Sequence, residues 1–329
     1  MTKQINLSQV LEQKKCFKLV CGAGNEDAVE VEKLVSLYAA GGACYFDLSA
    51  REDVVDAAWR GLRRIKGSTT DGLFLNVSVG IKGDPHVSKA LINQELCTSC
   101  GICKGECLQG AIINNDSRYT VFAKRCIGCG ACVRSCPVSA ITTYSQNQPL
   151  EEVLPPLISM GIHSIELHAV SDDEENIMEQ WTVIRSLFPG MLSLCVDRSQ
   201  LGDKQLIKLV KHLIKDRTDF STIIQADGAP MSGCDDRNET TLQALATAQI
   251  VQRANLPVFL LLSGGTNSKT AELAKLFNIT AHGIALGSFA RMIVRKQIDR
   301  DDFLSNKDVF NQALLVSRSL VENSLKHMG

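Results

Sequence analysis

The sequence predicts a TIM-like (β/α)8 barrel that is interrupted after its third strand by a two-cluster module like that of bacterial ferredoxins. Three observations predict it. Short apolar strands alternate with longer amphipathic helices eight times along the chain, the pattern of a parallel sheet with helical crossovers. The alternation breaks once, over residues 91–143, where eight of the thirteen cysteines gather. Removing that stretch leaves a chain close to the roughly 250 residues typical of the barrel. An open doubly wound sheet is the competing architecture, and the count of eight units favours the barrel. The chain then divides into residues 1–90 (the first three β/α units), 91–143 (the insert) and 144–329 (the remaining units).

The elements follow in order. "CFKLVC" (Cys16 to Cys21) is a short apolar strand, and "EDAVEVEKLVSLYAA" has helical periodicity with Val29, Val31, Leu34, Val35 and Tyr38 on one side. "ACYFDLSA" is a second strand ending at Asp47, "REDVVDAAWRGLRRI" a second amphipathic helix and "GLFLNVSVG" a third strand. After the insert, "LEEVLPPLISMG" is helical, and Pro155 and Pro156 predict a bend or a late start. "IHSIELHA" is the fourth strand, followed by a helix over 173–187. "MLSLCVD" is the fifth, with the helix "LGDKQLIKLVKHLIKD". "STIIQADG" is the sixth, with a helix over 239–254. "PVFLLLSGG" is the seventh, with the helix "SKTAELAKLFN". "HGIALGS" is the eighth, with a helix from Phe289.

Lys plus Arg total 35 against 36 for Asp plus Glu. That balance excludes the basic excess of an obligatory nucleic-acid partner. No apolar run approaches the roughly 18 residues of a membrane span. The start "MTKQINLSQVLEQKK" has neither the apolar core nor the cleavage site of a secretory signal. The expected location is therefore a reducing cytoplasm, where clustered thiols point to metal rather than to disulfides.

The two cysteine runs are "CTSCGICKGEC" (Cys97, Cys100, Cys103, Cys107) and "CIGCGACVRSCP" (Cys126, Cys129, Cys132, Cys136, then Pro137). Each is C-x2-C-x2-C-x3-C, the spacing that holds [4Fe–4S] clusters in two-cluster ferredoxins. Three cysteines in a tight loop reach three corners of a cubane, and small separators such as Gly101, Gly128, Gly130 and Ala131 let the backbone curl round it. The fourth ligand comes from the other run. One cluster is expected on Cys97, Cys100, Cys103 and Cys136, the other on Cys126, Cys129, Cys132 and Cys107. Zinc is the alternative, since C-x2-C pairs are ordinary in zinc sites. Two duplicated runs of four fit it poorly. Cys107 is followed by Leu108 rather than proline, yet "GAI" and "SAI" follow the two runs at matching offsets. The insert reads as an internal duplication.

In a barrel the insert leaves from a βα loop, at the C-terminal face where active sites lie. Loops after the seventh and eighth strands commonly form a phosphate site there. Gly264, Gly265, Gly287 and Ser288 occupy those loops and are the candidate phosphate binders, with flavin mononucleotide the natural occupant. Tight turns are the other reading of the glycines. Further strand-end candidates are Asn25, Asp47, Asn76, Ser78, Lys82, His168, Asp197, Arg198, Gln225 and Asp227. Asp47 reads as a cap for the next helix, Asp227 as a turn residue and His168 as a satisfied hydrogen-bonder. Cys16, Cys21, Cys44 and Cys195 read as small buried hydrophobes, and Cys234, in a polar loop, as a candidate reactive thiol. No nucleophile and base pairing is readable.

The stretch "KCFKLVCGAGNEDAVEVEKLVSLYAAGGACYFDLSA", the two cysteine runs and "LLSGGTNSKTAELAKLF" together resemble the light-dependent period family of cyanobacteria. The resemblance implies a cytoplasmic iron–sulfur protein that passes light-dependent redox state to the circadian clock and tunes its period. It also implies association with clock input proteins, a histidine kinase among them. Only the eight cysteines carry over residue by residue. Two functions are thus expected to compete. One is a redox sensor and signalling adaptor. The other is an oxidoreductase passing electrons between the clusters and a flavin or other phosphate-bearing ligand in the barrel. A plain electron carrier is a third.

Overall fold

The computed structural model describes residues 5–22, 24–66, 70–81, 88–116, 118–145, 148–228 and 237–328. Three strands open the chain: β1 (Cys16–Val20), β2 (Tyr45–Ser49) and β3 (Phe74–Gly80). Four more belong to the insert: β4 (Ser88–Ile92), β5 (Ile112–Asn115), β6 (Arg118–Val121) and β7 (Ile141–Ser145). Five follow: β8 (Ser164–His168), β9 (Met191–Val196), β10 (Thr222–Ala226), β11 (Phe259–Leu262) and β12 (Gly283–Leu286). The first three and last five close into an eight-stranded parallel barrel, with β3 against β8 and β12 against β1. The open sheet is thereby excluded.

Strand alternation explains what fills the barrel. Leu19, Phe46, Leu75, Ile165, Leu194, Ile224, Leu260 and Ile284 face outward into the main core, against helices such as Ala28–Ala40 and Glu174–Leu187. The alternate residues face inward. At the N-terminal end they are apolar: Cys16, Tyr45, Phe74, Ile223, Phe259 and Leu261. A short helix, Leu7–Glu12, plugs that end with Leu7 and Leu11. Its signal was present in the sequence as a capping box, Asn6 with Gln9.

One layer higher the barrel turns polar. Lys18 is fully buried, 2.5 Å from Glu166 and 3.4 Å from Asp47. Gln225 bonds both Lys18 and Glu166, and Asn76 and Ser78 donate to Asp47. A charge this deep persists only when paired and hydrogen-bonded. Burial alone would lower the Lys18 pKa, but Asp47 and Glu166 hold it well above the ordinary lysine range. Lys18 is therefore an ammonium at neutral pH and not an amine nucleophile.

Two local expectations are corrected. The helix Leu150–Ser159 contains Pro155 and Pro156 and begins on time, with Pro149 as its N-cap. Only the late start is thereby overturned; Leu150, Leu154 and Leu157 bury one face against the core, which offsets the backbone hydrogen bonds that the two prolines cannot donate. Val29 is 62% exposed and lies off the buried stripe of its helix. Among the described residues no helix is long and apolar enough to cross a membrane.

Candidate metal centre and barrel mouth

The insert is two copies of one loop. β4 pairs antiparallel with β7, from Ser88 opposite Ser145 to Ile92 opposite Ile141, and β5 pairs with β6. In each copy a one-turn helix, Ile102–Glu106 or Ala131–Ser135, follows a left-handed glycine, Gly101 or Gly130. Ser99 and Gly128 match in the same way, as do Gly110 and Ser139, all with positive φ. The backbone N–H of Ala111 donates to Cys107 Sγ at 3.3 Å, and that of Ala140 to Cys136 Sγ at 3.2 Å. The copies also exchange backbone: Asn93 N–H donates to Ala140 O and Phe122 N–H to Ala111 O. The repeated "GAI" and "SAI" are thus the segments that turn back over the fourth cysteine of each run.

Two small cavities lie within this module. One is lined by Cys97, Cys100, Cys103 and Cys136, with Pro137 and Tyr119. The other is lined by Cys107, Cys126, Cys129 and Cys132, with Gly128 and Gly130. Each therefore draws three thiols from one run and one from the other. Ala90, Ile92, Ala111, Ile112 and Ile141 form the apolar shell around them. Burial and then the neighbouring thiols Cys129, Cys126, Cys107 and Cys103 push Cys132 up to about 12. Crowded thiols resist ionising together, and cationic iron offsets that cost. All-sulfur donors in closely spaced loops fit iron–sulfur chemistry.

The module sits on the barrel mouth through buried charges. Lys89, almost fully buried, donates to Gly24 O at 2.6 Å and to Cys126 O at 2.9 Å, and pairs with Glu26 at 3.0 Å. Arg125 pairs with Asp27, Glu30 and Asp299 at 2.7–2.9 Å. Arg291, from the segment after β12, donates to Gln109 of the insert and to Val20 O. The loop after β1 is thus tied to the second cysteine run.

These contacts leave a cleft at the C-terminal end of the barrel. Gly264, Gly265, Gly287 and Ser288 line it together with Asp47, Glu166, His168, Cys195, Asp197, Asp227 and Arg291, and Ile127 and Cys129 close it from the module side. The four predicted phosphate-loop residues therefore share one cleft. Gly264 and Gly265 both have positive φ, and a Cβ on Gly264 would collide with Asp227 Oδ1.

Several strand-end expectations change. Asp47 does not act as a helix cap; it is buried inside the barrel beside Lys18. Asp227 points into the cleft beside Cys195 and His168. Cys195 is buried as expected, and burial and then Asp227 push its thiol up, but it also lines the cleft beside Asp227. Asn25 shapes a turn, bonding Cys21 O and Asp27 N–H, and Arg198 pairs with Asp203 on the surface. Lys82 and Cys234 lie outside the described residues. Lys18, Glu166 and Arg291 escaped the sequence reading. A lone charge at an inward position of an apolar strand, as in "CFKLVC" and "SIELH", was the available signal.

The fold and the thiol-lined module define a class: an iron–sulfur protein built on a (β/α)8 barrel. Residues 96–141 match the 4Fe-4S dicluster domain family, and residues 157–323 match the Light dependent period A C-terminal domain. The chain is 30% identical to Light dependent period A of Synechococcus elongatus over 304 residues, covering 86% of this chain and 82% of that one. A ferredoxin of Pyrobaculum islandicum is 24% identical over 94 residues, 28% of this chain and 82% of that protein. Among solved structures the YdjI aldolase of Escherichia coli K12 superposes with a TM-score of 0.51 at 7% identity, covering 99% of this chain and 97% of that one. That likeness concerns the fold alone. The chain belongs to the Light dependent period A family.

The buried Lys89 offers a test of the docking. Lys89→Met leaves two carbonyls and Glu26 without their cation, a loss of about 3–5 kcal/mol for a buried pair broken on one side. Hydrogen exchange of the anaerobic protein is expected to show lost protection in residues 24–27 and 124–129, with the outward-facing core of β9 and β10 unchanged. Unchanged protection at the mouth would mean that Lys89 does not hold the module in place.

Proposed function

We propose that the protein is a redox sensor that relays the light-dependent redox state of the cell to the circadian clock and so adjusts its period. It carries two [4Fe–4S] clusters, one on Cys97, Cys100, Cys103 and Cys136 and the other on Cys126, Cys129, Cys132 and Cys107. It works in the cytoplasm, with clock input proteins, including a histidine kinase, as partners. The observation that carries this reading is the pair of four-thiol cavities in a chain of the Light dependent period A family.

A sensor needs two states that a partner can distinguish. Cys126 would be a ligand of the second cluster, and its carbonyl is bonded to Lys89, so a change in that cluster's charge would be felt at this lysine. Lys89 also holds Gly24 and Glu26 of the loop after β1. The charge change therefore falls on the contacts between module and barrel, where a shift in their balance alters the surface that a partner reads. The N–H groups of Ala90, Ala111 and Ala140 donate to Cys126, Cys107 and Cys136, and with clusters bound they would favour the more negative state.

Clock period measured at several light intensities in cells carrying Cys126→Ala tests the reading. The dependence of period on light is expected to flatten. A light response equal to that of the unaltered strain would overturn it.

One observation favours a second reading. Ile127 and Cys129 line the same cleft as Gly264, Gly265, Gly287 and Ser288, so a ligand bound there lies against the second cluster's loop. In this reading the protein is an oxidoreductase that exchanges electrons between the clusters and flavin mononucleotide or another phosphate-bearing ligand. Anaerobic purification followed by acid extraction, with added flavin mononucleotide titrated into the remainder, is expected to yield about one bound flavin per chain by the one-cofactor logic of such sites. No extracted flavin and no binding of the added nucleotide would remove the flavin version.

A further inference from the structure

The ends of three consecutive barrel strands bring together a histidine, a cysteine and an aspartate that play no part in the iron–sulfur module. His168 ends β8 and lies opposite Cys195 of β9 in the strand register. Asp227 follows β10 directly, two residues after Gln225, which is itself opposite Cys195. Alternation puts all three side chains on the inner face. We propose that His168, Cys195 and Asp227 form a binding site for a divalent zinc-type ion, with an open fourth position facing the barrel cleft.

Geometry supports the assignment first. The three ligand atoms all lie within 4.8 Å of one another. Cys195 Sγ is 3.3 Å from Asp227 Oδ2, and His168 Nε2 is 3.7 Å from the same oxygen. Zinc binds sulfur at about 2.3 Å and nitrogen or oxygen at about 2.0–2.1 Å, so tetrahedral donors around it stand roughly 3.3–3.5 Å apart. The two donor pairs that share Asp227 Oδ2 stand near that spacing, and the third pair lies within 4.8 Å.

The chemistry agrees. One imidazole, one thiolate and one carboxylate are a borderline-soft donor set suited to zinc. Two anionic ligands and one neutral ligand balance a dication. A further observation comes from the second oxygen of the same carboxylate: Asp227 Oδ1, turned toward Gly264, is buried and, among the described residues, has no hydrogen-bond partner, so an ion held by both oxygens would serve it as well. A buried carboxylate oxygen without a partner is costly, and a metal ion coordinated by the carboxylate offsets that cost.

Three protein ligands and one open position are the arrangement of zinc sites that act on a bound molecule rather than only holding a fold. Here the three donors share their cleft with the loop Gly264 to Thr266 and with Ser288 and Arg291. The ligand class is a small molecule that offers an anionic oxygen to the metal. This inference depends on neither the clusters' signalling role nor a flavin in the cleft.

The test uses anaerobically purified holoprotein with its iron and any flavin quantified. It is freed of loosely bound metal and titrated with zinc chloride against a competing chelator. Wild-type protein is expected to take up about one tightly held zinc per chain beyond its iron, and zinc-edge X-ray absorption is expected to show one sulfur among nitrogen and oxygen neighbours. Cys195→Ser and Asp227→Asn are each expected to weaken zinc at least about 100-fold, beyond the 10–100-fold typical of losing an outer-shell partner, with iron content and circular dichroism unchanged. Absence of zinc binding by the holoprotein, binding undiminished in Cys195→Ser, or an all-sulfur shell would each overturn the proposal. The absorption spectrum of the unaltered protein keeps the test decisive if a variant fails to fold.

Discussion

No single stretch of this chain can surround either thiol-lined cavity. A run spaced C-x2-C-x2-C wraps three sides and then turns away, and the fourth side is closed by a cysteine from the other run. This constraint makes the two halves of the insert interdependent. It accounts for the antiparallel pairing of β4 with β7, which brings both runs together, and for the backbone bonds exchanged between Asn93 and Ala140 and between Phe122 and Ala111. It also accounts for the left-handed residues at matching places in both copies, because each loop must reverse within two or three residues.

The barrel supplies a different kind of order. Its inner face passes from an apolar plug at the N-terminal end, through the buried Lys18 with its carboxylates, to an open polar mouth. The paired charges in the middle layer offset one another's cost of desolvation. The mouth is then partly roofed by the module, held there by Lys89, Arg125 and Arg291. One of the two cavities consequently shares Cys129 with the cleft beneath it. The thiol-lined module and the barrel cleft are neighbours by construction.

Much of this was legible in the residues. The eight strands were readable because each is a short apolar run bounded by turn residues, and the cysteine spacing is specific because a cubane demands it. What escaped had local signals pointing elsewhere. Asp47, in "FDLSARED", has the sequence of a helix cap, and only closure of the barrel brings Lys18 within 3.4 Å of it. Cys195 looks like any buried cysteine until β8 and β10 bring His168 and Asp227 to its sides. Pro155 and Pro156 argue against a continuous helix locally, and packing of Leu154 and Leu157 overrides them. In each case the deciding partner is far away in sequence.

The central claim is that each cavity holds a [4Fe–4S] cluster on three thiolates of one run and the fourth of the other. Electron paramagnetic resonance of the reduced, anaerobically purified protein tests it most directly, using Cys97→Ala, Cys126→Ala, Cys107→Ala and Cys136→Ala with iron counted in each. The account predicts roughly eight iron atoms per unaltered chain and a single cluster signal lost in each variant. Cys136→Ala should lose the same signal as Cys97→Ala, and Cys107→Ala the same as Cys126→Ala. Loss of the Cys126 signal in Cys136→Ala, or a colourless protein loaded with zinc in all eight thiols, would contradict it.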